Sequence, residues 1–400
     1  MICAIRIWSC PDKGEDGVIK RMGCVRLSPY LVMKAFPKAG DSPYIENGLL
    51  SKRVTQDEKV IWQLLDVCRD PQEYSSLVSF YGKERVDMAI AEQWLMEEEK
   101  LFSVHRVTRF ELEINTDCNN RCLYCPVHQS RAERNVMSME LFREVIEKIQ
   151  EYGQAHFLTF NFYNEPFLDP YFIQRLELLA TTDLKVLINT NASYIKDGQM
   201  EALKRFRQSI TMIQINIPSY ERAEYNRITG SCHYNNVKKN INRLFEANLP
   251  VNFSINGSIN EFRKNAPLLN NLFSERVVHG IYRNFTTDRA GTLDNQYAQN
   301  IHIKSSLAGC ESPLQTMNIG WNGDVILCCN DYYKKNIYGN IRDGKLEDIL
   351  CSEKAIALRK QVFGETQTDD EFLCRKCWFM KLTKKQRADF LIYLSKAARG

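Results

Sequence analysis

The chain has 400 residues, of which 44% are apolar and 26% charged, so it is long enough for two or three domains with cores of their own. Its net charge of +4 is small for this length and gives no reason to expect nucleic acid or a membrane surface as a partner. No apolar run reaches the roughly 18 residues of a membrane span, and the N-terminal residues lack the features of a secretory signal.

Residues 1–104 are predicted to form a small α+β module of winged-helix type. Residues 25–31 have the pattern of an extended segment, and residues 41–47 are rich in turn-forming residues. Residues 56–68 and 86–101 show the apolar spacing of helices.

Residues 105–296 alternate between strand-like and helix-like segments, which predicts a parallel sheet. With right-handed crossovers, six strands and their helices make an α/β fold, a partial (β/α)6 barrel, whose functional groups lie at the carboxyl ends of the strands. The strand-like segments are residues 110–115, 156–163, 185–190, 212–218, 251–256 and 277–285, and the helical ones are 139–152, 170–181, 196–206, 234–247 and 261–274.

Residues 297–400 are predicted to form a third domain. Asn322-Gly323 is a hairpin signal between the extended segments 317–320 and 325–328. Residues 381–399 have the pattern of a basic amphipathic helix, which we expect to pack on its domain with the basic face in solvent.

Cysteine usage is the most informative feature, because 14 cysteines in a chain without a secretory signal indicate metal binding and a reducing cytoplasm. The cysteine loop, residues 113–125, reads EINTDCNNRCLYC and carries Cys118, Cys122 and Cys125 directly after the first barrel strand. A [4Fe–4S] cluster with three thiolate ligands keeps one iron open. The amino and carboxylate groups of S-adenosylmethionine can chelate that iron. A zinc site or free thiols are the alternatives.

This loop, with the aromatic Tyr124 before its last cysteine, resembles the signature of the radical S-adenosylmethionine (radical SAM) superfamily. The resemblance implies that the cofactor is cleaved reductively to a 5′-deoxyadenosyl radical. The family carries Gly-Gly-Glu-Pro at the end of its second strand, where this chain has Tyr163-Asn164-Glu165-Pro166. The resemblance implies that Glu165 holds the methionyl amino group of the cofactor and that Tyr124 lies beside the cofactor. Among residues at or after the ends of later strands, it assigns Asn189, Asn191 and Ser219 to the ribose, Arg227 to the methionyl carboxylate and Ile255 to the adenine.

A second cysteine set resembles the auxiliary-cluster domains called SPASM and, in their shortened form, twitch. Its members are Cys310, Cys328, Cys374 and Cys377. The middle cysteine group of a full SPASM domain is missing, so the resemblance implies one auxiliary [4Fe–4S] cluster, with a zinc ribbon as the alternative. Cys329 is an alternative ligand to Cys328. Asp331 is a candidate proton acceptor in the oxidation of substrate, or else an exposed turn residue.

The N-terminal sequence VRLSPYLVMKAF, with the helix that follows, resembles the leader-peptide recognition element of ribosomal-peptide pathways. Such elements bind a peptide as an additional strand. The alternative is a helical cap that covers the barrel and binds no peptide. We therefore predict a radical SAM enzyme that oxidatively modifies a ribosomally made precursor peptide and takes electrons from a flavodoxin- or ferredoxin-type reductant. Cys232 is a candidate hydrogen-atom donor, should the outcome be epimerisation. The alternatives are a radical SAM dehydrogenase or epimerase of an aminosugar or cyclitol, and a non-enzymatic iron–sulfur electron carrier.

Overall fold

The computed structural model describes residues 8–9, 22–34, 44–50, 52–54, 58–130, 133–257, 259–273, 276–277, 280–285, 287–293 and 306–399. No helix in these ranges is both long enough and apolar enough to cross a membrane. The chain divides into two compact units, residues 1–106 with 303–315 and 350–400, and residues 107–302 with 316–349. The expected domain limit at 296/297 lies outside the described residues, and the domain limits stay predictions.

The strands in chain order are β1 (Trp8–Ser9), β2 (Cys24–Leu27), β3 (Leu31–Lys34), β4 (Tyr44–Asn47), β5 (Lys52–Arg53), β6 (Gln72–Glu73), β7 (Leu95–Glu97), β8 (Val104–His105), β9 (Arg109–Leu112), β10 (Phe157–Phe160), β11 (Val186–Thr190), β12 (Ile210–Asn216), β13 (Val251–Gly257), β14 (Ile281–Phe285), β15 (Thr316–Ile319), β16 (Asp324–Ile326) and β17 (Ile337–Asn340).

The helices are α1 (Lys59–Val67), α2 (Tyr74–Tyr81), α3 (Lys83–Ala91), α4 (Met139–Tyr152), α5 (Phe172–Leu179), α6 (Asp197–Arg205), α7 (Arg222–Thr229), α8 (Tyr234–Glu246), α9 (Ile259–Phe273), α10 (Ser312–Gln315), α11 (Leu346–Leu350), α12 (Glu353–Phe363) and α13 (Trp378–Arg399).

The second unit contains a nine-stranded sheet in the order β14-β13-β12-β11-β10-β9-β15-β16-β17. The first six strands in this order are all parallel, as the alternation of strands and helices predicts. The apolar faces of the helices cover one side, as where the ring of Phe110 in β9 packs 6.0 Å from that of Tyr152 in α4. Side chains alternate along a strand, so the intervening residues lie on the opposite, inner face.

The predicted hairpin at Asn322-Gly323 is confirmed, since β15 and β16 pair antiparallel around it. Gly323 has a φ of +89°, a conformation that side chains rarely adopt and that glycine permits. The sequence does not reveal where the hairpin lies. β15 pairs parallel with β9, so the hairpin and β17 extend the barrel sheet.

The first unit combines the N-terminal module with the C-terminal helix. β6, β2 and β7 form one small sheet, and β3, β4 and β5 form another. The predicted helix over residues 86–101 is partly wrong, because α3 ends at Ala91 and residues 95–97 form β7. The turn-rich segment 41–47 is also partly wrong, since residues 44–47 are β4.

The C-terminal helix α13 contributes to the core of this same unit. Its buried residues Phe390, Leu394 and Ala398 join a cluster that includes Ile61, Leu64 and Leu65 of α1. The apolar side of the helix therefore packs on the N-terminal module.

Candidate active site

The cysteine loop follows β9 at its carboxyl end and is held by backbone hydrogen bonds to the end of α7. The amides of Arg121 and Leu123 donate to the carbonyls of Thr229 and Ile228, at 2.8 and 2.9 Å. Gly230 follows α7 with a φ of +59°, and a Cβ on it would stand 3.0 Å from the Arg121 carbonyl oxygen. Glycine therefore permits both the left-handed end of the helix and its close approach to the loop.

The three thiols of the loop lie together in a largely buried environment. Cys122 packs with Tyr124 and Ile228, and Cys125 lies against the same group. Burial, reinforced by the nearby Cys122, raises the pKa of the Cys118 thiol well above its ordinary value. Burial and the nearby Cys125 raise the pKa of Cys122 to about 12. Each thiol is costly to ionise on its own. The three therefore suit a bound cationic centre, whose positive charge offsets the negative charge of the thiolates.

Tyr124 connects the cysteine loop to the end of β12. Its side chain is only 4% exposed, and its hydroxyl accepts a hydrogen bond of 2.6 Å from Nδ2 of Asn216. The predicted role of Tyr124 beside the cofactor stays a prediction, but its side chain does lie with the cysteines.

Glu165 is buried at the end of the second barrel strand, and the chain itself supplies its hydrogen bonds. Its Oε1 accepts from Oγ1 of Thr190 at 2.7 Å and from the amide of Phe167 at 3.2 Å, and its Oε2 accepts from the amide of Asn191 at 2.7 Å. Burial raises the pKa of Glu165 to about 7, against the opposite effect of these three donors. The carboxylate is therefore fixed in position between the second and third strands.

A buried ion pair locks the turn that carries Glu165. Asp169 follows the short helical turn Pro166–Leu168, and its Oδ2 accepts from Nε of Arg175 at 2.6 Å. Arg175 also donates to the carbonyl of Met137, so one side chain ties the turn to two neighbouring segments. Both members of the pair are fully buried.

Asn191 joins Glu165 to the cysteine loop. Besides its amide bond to Glu165, its Nδ2 donates to Oδ1 of Asn119 at 3.0 Å and lies 4.0 Å from Sγ of Cys118. Asn189, two residues earlier on β11, is half-buried. The structure thus brings Cys118, Glu165 and Asn191 together, as their shared position after parallel strands predicts.

The segment that replaces the family's two glycines has an unusual backbone conformation. The positive φ lies at Phe162, at +101°, and not at the two positions where the family has glycine. Such a conformation is costly for a bulky residue and typical of functional sites. The side chain of Tyr163 is directed to the second cysteine set, since its hydroxyl donates to the Cys329 carbonyl at 2.7 Å and its ring lies 4.9 Å from that of Tyr332.

Ser219 and Arg227 both make contacts within their own segments. Oγ of the fully buried Ser219 accepts from the amide of Glu221 at 3.1 Å. Arg227 is exposed on α7, where Nη2 pairs with Oε1 of Glu224 at 2.6 Å. Their predicted contacts with ribose and with the methionyl carboxylate stay predictions.

Ile255 lies in a strand of the barrel, and Cys232 lies between two of its helices. Ile255 is fully buried in β13 on the same side as Phe253, whose ring contacts Phe245 of α8 and Phe273 of α9. The helix-facing side of β13 therefore holds the Ile255 side chain, and its contact with adenine stays a prediction. Cys232 is exposed between α7 and α8.

The auxiliary cysteines are divided between the two units. Cys310, Cys374 and Cys377 belong to the first unit, and Cys328 and Cys329 to the second, so a shared cluster stays a prediction. Asp331 is 3% exposed rather than an exposed turn residue, and its carboxylate accepts from the amide of Lys335 and from both nitrogens of Asn336. Its role as proton acceptor stays a prediction.

Sequence reasoning did not single out two side chains in this region. Arg289, which follows β14, has a φ of +50°, and its guanidinium lies 5.8 Å from the ring of Tyr163. Glu111 lies on the inner face of β9 between the apolar Phe110 and Leu112. The alternation of polar and apolar residues in β9 is the signal that could have identified Glu111.

Comparison with family models agrees with this arrangement. Residues 112–264 match the Radical SAM superfamily, and residues 310–378 match the iron–sulfur cluster-binding domain SPASM. The chain thus contains a radical SAM domain and a SPASM domain. The first match contains the cysteine loop and Glu165, and the second contains all four cysteines of the auxiliary set.

Individual relatives are distant. The S-adenosyl-L-methionine-dependent 2-deoxy-scyllo-inosamine dehydrogenase of Niallia circulans is 23% identical over 302 residues, which are 74% of this chain and all of that protein. SuiB of Streptococcus suis, solved bound to precursor peptide SuiA, is 13% identical with a TM-score of 0.55, over 90% of this chain and 97% of SuiB. AdoMet-bound anSMEcpe is 12% identical with a TM-score of 0.50, over 73% of this chain and 99% of that chain. These solved structures confirm the fold.

The cofactors of this radical SAM enzyme are S-adenosylmethionine and a [4Fe–4S] cluster, with auxiliary iron–sulfur chemistry in the SPASM domain. The donor set fits the first cluster, because three cysteine thiols converge on one loop and a [4Fe–4S] cluster takes cysteine thiolates. Cys118, Cys122 and Cys125 would hold it. When bound, the pair of cofactors supplies a radical that abstracts a hydrogen atom from substrate.

Proposed function

We propose that this radical SAM enzyme oxidises a ribosomally made precursor peptide whose leader binds the N-terminal module. The observation that carries the proposal is the presence of that module before the barrel. SuiB, solved with its precursor peptide, shares the fold over 90% of this chain, whereas the dehydrogenase relative aligns with 74% of it. A substantial part of this chain thus has a counterpart in SuiB, which was solved with a peptide. The same part has no counterpart in the dehydrogenase, whose named substrate is a small molecule.

The strands of the module support the same proposal. In the sheet β6-β2-β7, the described pairings of β7 are all with β2, so one edge of β7 has backbone groups that another strand can use. A peptide that adds to such an edge gains main-chain hydrogen bonds. The predicted reductant of flavodoxin or ferredoxin type and the cytoplasmic location belong to the same proposal.

Within the barrel, the chain's own residues orient the reacting groups. Glu165 and Asn191 are fixed beside Cys118, where acceptor oxygens suit the amino group of S-adenosylmethionine. We assign the corresponding contacts of Asn189, Ser219, Arg227 and Ile255 to the same proposal. Asp331 and Cys232 remain our candidates for moving a proton or a hydrogen atom.

A second candidate is oxidation of an aminocyclitol. It is favoured by one observation, that the 2-deoxy-scyllo-inosamine dehydrogenase aligns with this chain over its entire length. The two candidates share their radical chemistry and differ in what enters the barrel.

The test uses the full chain, reconstituted anaerobically with iron, sulfide and S-adenosylmethionine. The probe is the fluorescent leader of a precursor peptide encoded in a neighbouring short reading frame. We expect binding at micromolar affinity, about −8 kcal/mol, and 5′-deoxyadenosine formation that the complete peptide stimulates. The Cys118→Ala variant should bind the leader equally well and form no 5′-deoxyadenosine. Absence of leader binding, together with turnover of 2-deoxy-scyllo-inosamine, would establish the second candidate instead.

A further inference from the structure

Three polar side chains gather on the inner face of the barrel sheet. Because Phe110 faces α4, Glu111 faces the opposite way. Asn318 of β15 is in register with Glu111, so the two side chains share that face. Asn161, just after β10, donates from Nδ2 to Oε2 of Glu111 at 3.3 Å. We call these three residues the inner-face cluster.

The carboxylate of Glu111 has unused capacity to accept hydrogen bonds. Asn161 is its one hydrogen-bond donor in the described part of the chain, and no ion pair within this part reaches it. Burial raises the pKa of Glu111, which shows that Asn161, Arg109 and Arg289 do not fully offset the burial of its charge. A carboxylate oxygen pair accepts about four hydrogen bonds, so most of this capacity is free.

Glu113 provides the contrast, two residues further along and on the same face. Its Oε2 accepts from Nζ of Lys334 and from the amide of Trp321 at 3.2 Å. Glu113 therefore ties the cysteine loop to the hairpin, while Glu111, in the same kind of position, forms no ion pair with any of the described residues.

Asn318 gives an independent indication of a ligand. Its side chain is 1% exposed, and neither Oδ1 nor Nδ2 has a hydrogen-bond partner among the described residues. A buried amide without partners costs about 1–3 kcal/mol, a cost that a bound polar group would remove. This amide lies beside Glu111 across the β9–β15 pair.

Arg289 does not take the place of that ligand. The groups that stabilise its charge are Tyr163, Cys329, Cys125 and Tyr124, on the side of the cysteines. It lowers the pKa of Glu111 less than Asn161 and Arg109 do. The positive charge of Arg289 thus interacts mainly with the groups around the cysteines. The oxygens of the inner-face cluster therefore keep their capacity to accept hydrogen bonds.

We propose that Glu111 and Asn318 form a subsite for an ammonium group of the substrate. An ammonium group has three donors and no acceptor, which matches a carboxylate and the carbonyl oxygen of an amide. Two sources share this chemistry, a lysine side chain of a peptide and the amino group of an aminocyclitol. The inference rests on the proposed function for the radical chemistry and names the group that the barrel recognises.

The experiment measures binding by calorimetry to the anaerobically reconstituted enzyme with S-adenosylmethionine. One pair of probes is a synthetic core peptide with lysine and the same peptide with norleucine. The other pair is 2-deoxy-scyllo-inosamine and its analogue with hydroxyl in place of the amine. Each pair is tested on wild type, on Glu111→Gln, on Asn318→Leu, and on Glu201→Gln, at an exposed position of α6, as the control for loss of a carboxylate.

We expect the amine to bind about 10- to 100-fold more tightly than its isostere in at least one pair, as hydrogen bonds to charged groups imply. Glu111→Gln should abolish this preference and Asn318→Leu should reduce it, while Glu201→Gln retains it. A preference confined to the cyclitol pair would support the subsite and contradict the peptide function. Equal binding of amine and isostere in both pairs would overturn the subsite. A preference for the amine that survives Glu111→Gln would overturn it as well. In either case the leader-binding test would still decide the peptide function.

Discussion

At the scale of single residues, Glu165 has the most fully determined surroundings in the site. Hydrogen bonds from Thr190, Phe167 and Asn191 hold its carboxylate, yet burial still raises its pKa from 4.5 to about 7. A further donor or cation would therefore stabilise the charged form of this carboxylate, and an amino group of the cofactor would supply one.

This raised pKa predicts a pH dependence of stability in the cofactor-free protein. Above pH 4.5 the unfolded chain releases the proton of Glu165, whereas the folded chain keeps it. The contribution of Glu165 to the free energy of unfolding is therefore complete below pH 4.5 and is lost as the pH rises through 7. The loss is on the order of 3 kcal/mol, at 1.36 kcal/mol per pKa unit.

Urea unfolding near pH 5 and near pH 8 measures this loss of stability. Wild type should lose about this much relative to Glu165→Gln, which does not titrate. Glu201→Gln, at an exposed position of α6, is the control and should follow wild type. Parallel pH profiles of wild type and Glu165→Gln would contradict the raised pKa.

Substitution of Tyr163 tests whether a side chain at a position where the family has glycine stabilises the folded chain. Tyr163→Phe removes the hydrogen bond to the Cys329 carbonyl and should lower the free energy of unfolding by about 0.5–1.5 kcal/mol. Tyr163→Leu also removes the ring contact with Tyr332 and should cost about 0.5–1.5 kcal/mol more. Equal stability of all three chains in urea would show that these contacts do not stabilise the folded state.

At the scale of elements, the sequence was most informative about the barrel. The alternation of segments predicts its six parallel strands, and the predicted bounds of α4 are the observed ones. The cysteines and Glu165 could be located because they follow strands. The pairing of β15 with β9 could not be predicted, since it joins residues some 200 positions apart and depends on packing. Nor does alternation distinguish Glu111 from Glu113, because Lys334 reaches only one of them.

The packing of α13 on the N-terminal module gives a prediction for this scale. Phe390 is 1% exposed in the shared core, so Phe390→Ala should lower the free energy of unfolding by about 3–5 kcal/mol. Ile392 of the same helix is 57% exposed, and Ile392→Ala should change it by less than about 0.5 kcal/mol. Hydrogen exchange should show faster exchange in α1 for the first variant only. Unchanged exchange in α1 with Phe390→Ala would contradict the shared core.

At the scale of the whole molecule, we propose that the two cysteine sets hold two clusters of different character. The first set leaves one iron open to S-adenosylmethionine, and four thiolates in the second would close the other cluster to substrate. A closed auxiliary cluster suits electron transfer, which favours net oxidation of the substrate over rearrangement.

The iron content tests this division. Reconstituted protein should hold about eight irons, four per cluster, and the double variant Cys374→Ala/Cys377→Ala should hold about four. The variant should retain part of its reductive cleavage of S-adenosylmethionine, because the cysteine loop is intact. About four irons in wild type, with zinc bound, would indicate a zinc ribbon in place of the auxiliary cluster.

The central claim is that this radical SAM enzyme oxidises a peptide, and the mass of the product tests it most directly. The complete precursor peptide is incubated with reconstituted enzyme, reductant and S-adenosylmethionine in deuterated water. The account predicts a peptide that is two hydrogens lighter, formed with stoichiometric consumption of S-adenosylmethionine and absent from the Cys118→Ala reaction. A peptide of unchanged composition carrying one solvent deuterium would contradict oxidation and indicate epimerisation, with Cys232 as the candidate hydrogen donor.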